Sequence, residues 1–155
     1  MTSLEQPLRK DEPWMQETED LLQRWCDTSR TQAEKHDLAG HTCKRSHIRW
    51  GLTNAMIPVM MTPVAAVVER DTIWWFQYAE AALLLVTGAC GVVTHFFGFA
   101  AKAEKHFSFA SRYMDLVSDI EAELSKPREY RQQVDTFTLR SQMIFDALNR
   151  AAPDV

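Results

Sequence analysis

Two uncharged apolar stretches, Trp50 to Val68 and Ala81 to Ala101, are separated by twelve residues that hold four charges. Their 19 and 21 residues reach roughly 28 and 32 Å as helices, close to the ~30 Å hydrocarbon thickness of a bilayer. Uncharged runs of that length are hard to hide in a soluble domain of 155 residues, so a membrane hairpin is expected over a buried hairpin in a helical bundle. The mean hydropathy of −0.29 looks soluble only because polar flanks dilute the two stretches.

The first stretch contains Pro58 and Pro63. Each removes a backbone donor, a defect tolerated in membranes where neighbours satisfy the freed carbonyl, so a kink or local unwinding is expected there. Asn54, Pro58, Thr62 and Ala65 or Ala66 share roughly one face at helical spacing, and that face should meet protein or water. In the second stretch Thr87, Gly91, Thr94, Gly98 and Ala101 recur at spacings of 4, 3, 4 and 3. A seam of small side chains lets helix backbones approach closely in lipid. His95 overlaps that seam and is the ionisable group deepest in a span, which makes it a candidate pore-lining or pH-sensing residue.

The flanks set an orientation. Lys44, Arg45 and Arg49 precede the first span and Lys102 and Lys105 follow the second, whereas the turn from Glu69 to Glu80 holds one basic residue against three acidic ones. By the positive-inside rule both termini face the cytoplasm. Trp74 and Trp75, in the aromatic run before the second span, suit the headgroup level, as does Trp50. The opening 49 residues are polar and carry no apolar run, so a cleaved secretory signal is not expected.

The expected fold is all-α: an N-terminal arm (1–49), a transmembrane hairpin (50–101, spans 50–68 and 81–101) and a cytoplasmic antiparallel helix pair (102–155). The arm holds one amphipathic helix from about Pro13 to His36, with Leu21, Leu22 and Trp25 on a partly apolar face. The second span is expected to run on as one helix through Phe109, Tyr113, Leu116 or Val117, Ile120 and Leu124. Ser125-Lys126-Pro127 ends it, because proline disfavours helix in the residue before it. A last helix carries Tyr130, Val134, Phe137, Ser141, Ile144 and Leu148 at alternating spacings of 4 and 3, a heptad-like seam.

Catalytic chemistry is not expected. The sequence lacks a phosphate-binding glycine loop, His-Glu-x-x-His, Cys-x-x-Cys and Gly-x-Ser-x-Gly, and no cofactor is implied. Thr87-Gly88-Ala89-Cys90-Gly91 is glycine-rich but apolar, and it has no lysine to hold a phosphate. His36, His41, Cys43 and His47 fall within twelve residues, and imidazole and thiolate are metal ligands, yet the expected reading is a polar juxtamembrane segment without stoichiometric zinc. Three cysteines, one of them within an apolar stretch, imply no disulfide framework. Seven methionines are read as adaptable packing. A net charge of −4 and no basic tail argue against a nucleic-acid partner.

A polar arm, a basic juxtamembrane stretch, a first span with Ile57-Pro58, an aromatic turn, a second span, then Ala103-Glu104-Lys105-His106 with Tyr113, Ile120-Glu121 and a terminal Ala152-Pro153 resemble the SLATT family, the SMODS and SLOG-associating two-transmembrane effectors. The resemblance spans about residues 20 to 153 and supplies no catalytic residue. It implies a homo-oligomeric membrane effector that perforates a bilayer downstream of a sensor protein. A stand-alone relative in a large DNA virus would instead imply a scaffold joining an internal virion membrane to a capsid. Under the first expectation Asn54, Thr62, Thr87, Gly91, Thr94, His95 and Gly98 pack the spans or line a pore.

Overall fold

The computed structural model describes residues 14–67 and 75–154, with side chains described for all of these except 61–67, 76 and 77. The chain is all-α: α1 (Gln16–Val67), α2 (Phe76–Phe97), α3 (Phe99–Leu124) and α4 (Val134–Ala151), with a short 3-10 turn at Arg128–Tyr130 and no strand among the described residues. It divides into two compact units, one of residues 14–36 and 108–154 and one of the described residues between 37 and 107.

The first unit is a three-helix bundle written in heptads. From α1 it buries Leu22, Cys26, Ser29, Ala33 and His36; from α3 Phe109, Tyr113, Leu116, Val117, Ile120 and Glu123; from α4 Val134, Phe137, Ser141 and Leu148. Spacings alternating between 3 and 4 keep each set on one helix face, and three such faces close on a common core. Trp14 meets Phe137 at 6.2 Å and Trp25 stacks on Phe145 at 6.0 Å, so α1 and α4 run in the same direction. The Tyr113 hydroxyl donates to Asn149 Oδ1 at 2.9 Å and the Gln132 N–H donates to Glu123, so partner numbers fall on one side as they rise on the other and α3 runs antiparallel to α4. Glu17 and Glu19 in the first turn of α1 suit its positive end. Pro127 follows the end of α3, and Pro153 stands two residues beyond α4.

Three details differ from the sequence expectation, each for a local reason. The arm helix does not stop near His36: α1 continues through Gly40, Pro58 and Pro63 to Val67. Gly40 is a packing glycine and not a terminator, since a Cβ there would stand 2.8 Å from the Phe107 ring. The second span and its extension are two helices, because Gly98 adopts φ +55° between α2 and α3, a left-handed conformation that glycine takes without a Cβ clash. Tyr130 sits in the 3-10 turn and is 75% exposed, so the buried seam of α4 begins at Val134.

Cys26 tests the first core. It is fully buried, and burial pushes its thiol up to about 11 from the usual 9.0, a thiolate fraction about a hundredfold lower at pH 8. Maleimide at pH 8 is expected to modify half-buried Cys43 well before Cys26, and Cys26 only after denaturant is added. Equal rates in the native protein would contradict the packing.

Candidate functional site

The second unit is built from the apolar segments and the basic residues flanking them. Gly40 and His41 of α1 lie against Phe107 of α3, His41 meeting the ring edge-on at 5.2 Å. Farther along α1, Asn54 faces Gly91 of α2, where a Cβ would stand 3.6 Å from Asn54 Nδ2. Partner numbers fall on one side as they rise on the other, so the pairing is antiparallel and nearly level. By that register Lys44 stands level with Lys102, and Arg49 with Phe97.

Asn54 and Gly91 are thus brought together, and a Cβ at residue 91 would make ordinary van der Waals contact with the amide. Thr87 and Thr94 are half-buried, and each hydroxyl donates to the carbonyl four residues back, Leu83 and Cys90, at 2.8 Å. Thr53 does the same to Arg49 at 2.9 Å. Such back-bonding consumes the hydroxyl proton within its own helix, so the side chain meets an apolar surrounding without an orphan donor. Cys90 is buried and Gly98 half-buried, whereas His95 is exposed on α2. Thr62 is helical with its side chain outside the described set, and Trp74 and the turn acids Glu69 and Asp71 lie outside the described residues. Trp75 is 56% exposed.

Much of this unit's apolar surface has no cover from the described residues. In the apolar run of α2, Leu84, Leu85, Val92 and Phe96 are 61%, 74%, 67% and 82% exposed, and on α1 Val59 and Met60 are 65% and 64% exposed. Among the described residues one helical run, Tyr78–Leu124, is long and apolar enough to cross a membrane, and only 6% of its apolar window is buried. A core helix of a water-soluble bundle would be covered on most sides.

At one end the chemistry changes abruptly. Phe96, Phe97 and Phe99 pack ring to ring at 5.7 and 5.5 Å, and Lys102 Nζ lies 5.9 Å from the Phe97 centroid. Lys44, Arg45, Arg49, Lys102 and Lys105 are all exposed at this level.

No protein-family model, curated protein or solved structure matches the chain. Its function is therefore read from the arrangement of its own residues.

Ala103 and His106 are buried while Glu104 and Lys105 point outward, so this four-residue motif has an inner and an outer half. His36 stacks on Tyr113 at 5.9 Å, His41 lies 3.5 Å from Asp37, and Cys43 and His47 are half-buried. Among the described residues no three His, Cys, Asp or Glu side chains gather as a metal set. In the first unit a pocket of about 350 Å³ is lined by Gln32, Lys35, His36, Tyr113, Asn149 and Asp154. The Tyr113 hydroxyl there is committed to Asn149, and burial raises its pKa. The pocket offers hydrogen bonds to a small polar molecule, without a nucleophile paired to a base.

One polar cluster escaped the sequence reading. Glu19 takes hydrogen bonds from Arg128 Nε at 2.8 Å and Arg131 Nη1 at 2.6 Å. Arg131 also donates to the carbonyls of Lys126 and Leu124 and lies 5.0 Å over the Trp14 ring, whose indole N–H reaches the Gln132 carbonyl at 3.1 Å. Buried Glu123 accepts from Lys126 Nζ at 2.6 Å and from the Gln132 backbone N–H. Together these groups tie the α3–α4 turn to the start of α1. Partners 109 and 112 residues apart leave no local signal in the sequence.

The cluster carries a pH dependence. The Arg128 hydrogen bond, helped by Arg131, holds Glu19 below the usual 4.5 against the opposing effect of burial. At Glu123 burial pushes the carboxyl up, but Lys126, the Gln132 N–H and Arg131 together outweigh it and hold it below 4.5. Both carboxyls are harder to protonate folded than unfolded. Their stabilisation is complete above the unfolded value and is lost as pH falls through the folded ones. Near-UV dichroism of Trp14 and Trp25 is expected to stay constant from about pH 7 to 5 and to decline below pH 4.5, with Glu19→Gln reducing the acid-sensitive part. An unchanged acid profile in Glu19→Gln would contradict this assignment.

Proposed function

We propose that this protein is an integral, two-span membrane protein that oligomerises and permeabilises the bilayer without catalysis. The apolar segments of α1 and α2 are the spans, and both termini lie on the cytoplasmic side. The observation that carries the reading is the bare apolar run of α2, whose hydrocarbon surface is left uncovered by the described residues. Lipid is the solvent that removes that cost. The Asn54–Gly91 pairing supports it, because helices that meet at a small residue pack well in hydrocarbon. The cations before α1's span and after α2's favour the cytoplasmic side for that end. The resemblance to SLATT effectors agrees with an oligomer, fed by a sensor protein, that opens a path for ions.

In such an oligomer His95, exposed on α2, is the ionisable side chain placed to meet a neighbouring copy or the water path. Planar-bilayer recordings of the reconstituted full chain are expected to show discrete conductance steps. A silent bilayer at high protein density would overturn the permeabilising role. A conductance whose size and ion selectivity are unaltered by His95→Ala would take that residue out of the path.

A second reading, a scaffold that anchors a bilayer to a protein shell such as a viral capsid, is favoured by Leu139 and Met143. They stand 61% and 65% exposed one turn apart on α4, where a partner protein would cover them. This reading requires a fixed stoichiometry in a larger assembly, with no continuous water path between the spans.

A further inference from the structure

The permeabilising and scaffolding readings leave unexplained why the cations of two helices stand at one level. Lys44, Arg45 and Arg49 on α1 and Lys102 and Lys105 on α3 are separated by more than 50 residues in sequence. The antiparallel register of Gly40 and His41 with Phe107, and of Asn54 with Gly91, gathers them into a band roughly 12 Å deep along the helix axes. The same band holds one carboxylate, Glu104, so five cations face one anion. Among the described residues none of the five forms a salt bridge. On one side of the band lie the aromatic rings of Trp50, Phe96 and Phe97, and beyond them the uncharged spans.

We infer that this band is a collar that recognises anionic phospholipid headgroups in the leaflet next to it, so that the protein selects such lipids as its neighbours. The inference rests on the membrane reading above and adds a lipid preference to it. Phosphodiester groups lie at the depth where these cations stand when the spans occupy hydrocarbon, and lysine and arginine side chains reach outward to that layer with their apolar stems along the helix. A band drawn from both helices presents five exposed cations at one level, enough to meet more than one lipid headgroup at once. Orientation by the positive-inside rule needs only a count of cations; a lipid preference needs them exposed, level and outside salt bridges, as they are here.

The test is electron spin resonance of the full chain reconstituted in phosphatidylcholine vesicles doped with spin-labelled phosphatidylglycerol or spin-labelled phosphatidylcholine, with flotation run on the same samples. In 0.1 M salt the motionally restricted population is expected to favour the anionic label by at least about fivefold. In 1 M salt, where the Debye length falls to ~3 Å, the preference should shrink toward parity. K44Q/R45Q/R49Q/K102Q/K105Q is expected to float as the wild type does and to lose the preference. If that variant does not fold, the wild-type salt titration and K102Q/K105Q, expected to lose part of the preference, still decide the matter. Equal association of both labels with floated wild-type protein, or a preference that survives 1 M salt undiminished, overturns the collar while leaving the spans in place. Wild-type protein that does not float overturns the collar and the membrane reading together.

Discussion

Leu85→Arg is expected to lower the ratio of inserted to non-inserted α2 on the order of a hundredfold, because a guanidinium near the middle of a span costs about 2.5–3.5 kcal/mol on insertion scales. Leu85 lies mid-way along α2 and is 74% exposed, with no side chain of the unit covering it. The position separates the two solvents cleanly. In water, an exposed leucine replaced by arginine changes stability by no more than about 0.5 kcal/mol and improves solubility. In lipid, the same change places a charge where nothing can hydrate it. Insertion into microsomes, scored by glycosylation acceptors placed in the turn and at the C-terminus, measures the ratio. An arginine variant that inserts as well as the wild type would mean that this face of α2 does not meet hydrocarbon.

Ile120→Ala is expected to destabilise the three-helix unit by about 2–5 kcal/mol, a lost transfer energy plus an incompletely closed cavity. Ile120 is fully buried, in the core with Leu22, Cys26, Val117 and Phe137, with little freedom for the bundle to collapse into the gap. Leu139→Ala, at an exposed position of α4, is the control and should change stability by no more than about 0.5 kcal/mol. Urea unfolding of the full chain in detergent micelles, followed through Trp14 and Trp25, gives both values. Equal effects at the two positions would contradict the assignment of Ile120 to the core.

The elements that the sequence announced are those whose signal is local. Phe109, Tyr113, Leu116, Val117 and Ile120 are buried at the spacing read from the chain, Pro127 stands just past the end of α3, and Val134, Phe137, Ser141 and Leu148 form the buried seam of α4. Leu22 and Trp25 were legible as an apolar face, but not what they pack on: the seam of Leu22, Cys26, Ser29, Ala33 and His36 is half small or polar and reads as weak until α3 and α4 complete it.

Glycine was ambiguous for a physical reason. Gly40 admits the Phe107 ring while Gly98 takes a left-handed turn, and a residue without a side chain carries no local mark of which it will do. Within the candidate site, Asn54 of α1 stands opposite Gly91 of α2. The level of the basic residues was not legible, because it depends on the register between helices.

The claim on which the rest depends is that hydrocarbon surrounds the apolar runs of α1 and α2. Washing membranes that contain the full chain with alkaline carbonate tests it most directly: the protein is expected to stay with the bilayer pellet and to dissolve only in detergent. Recovery of the intact chain in the carbonate supernatant would contradict the account.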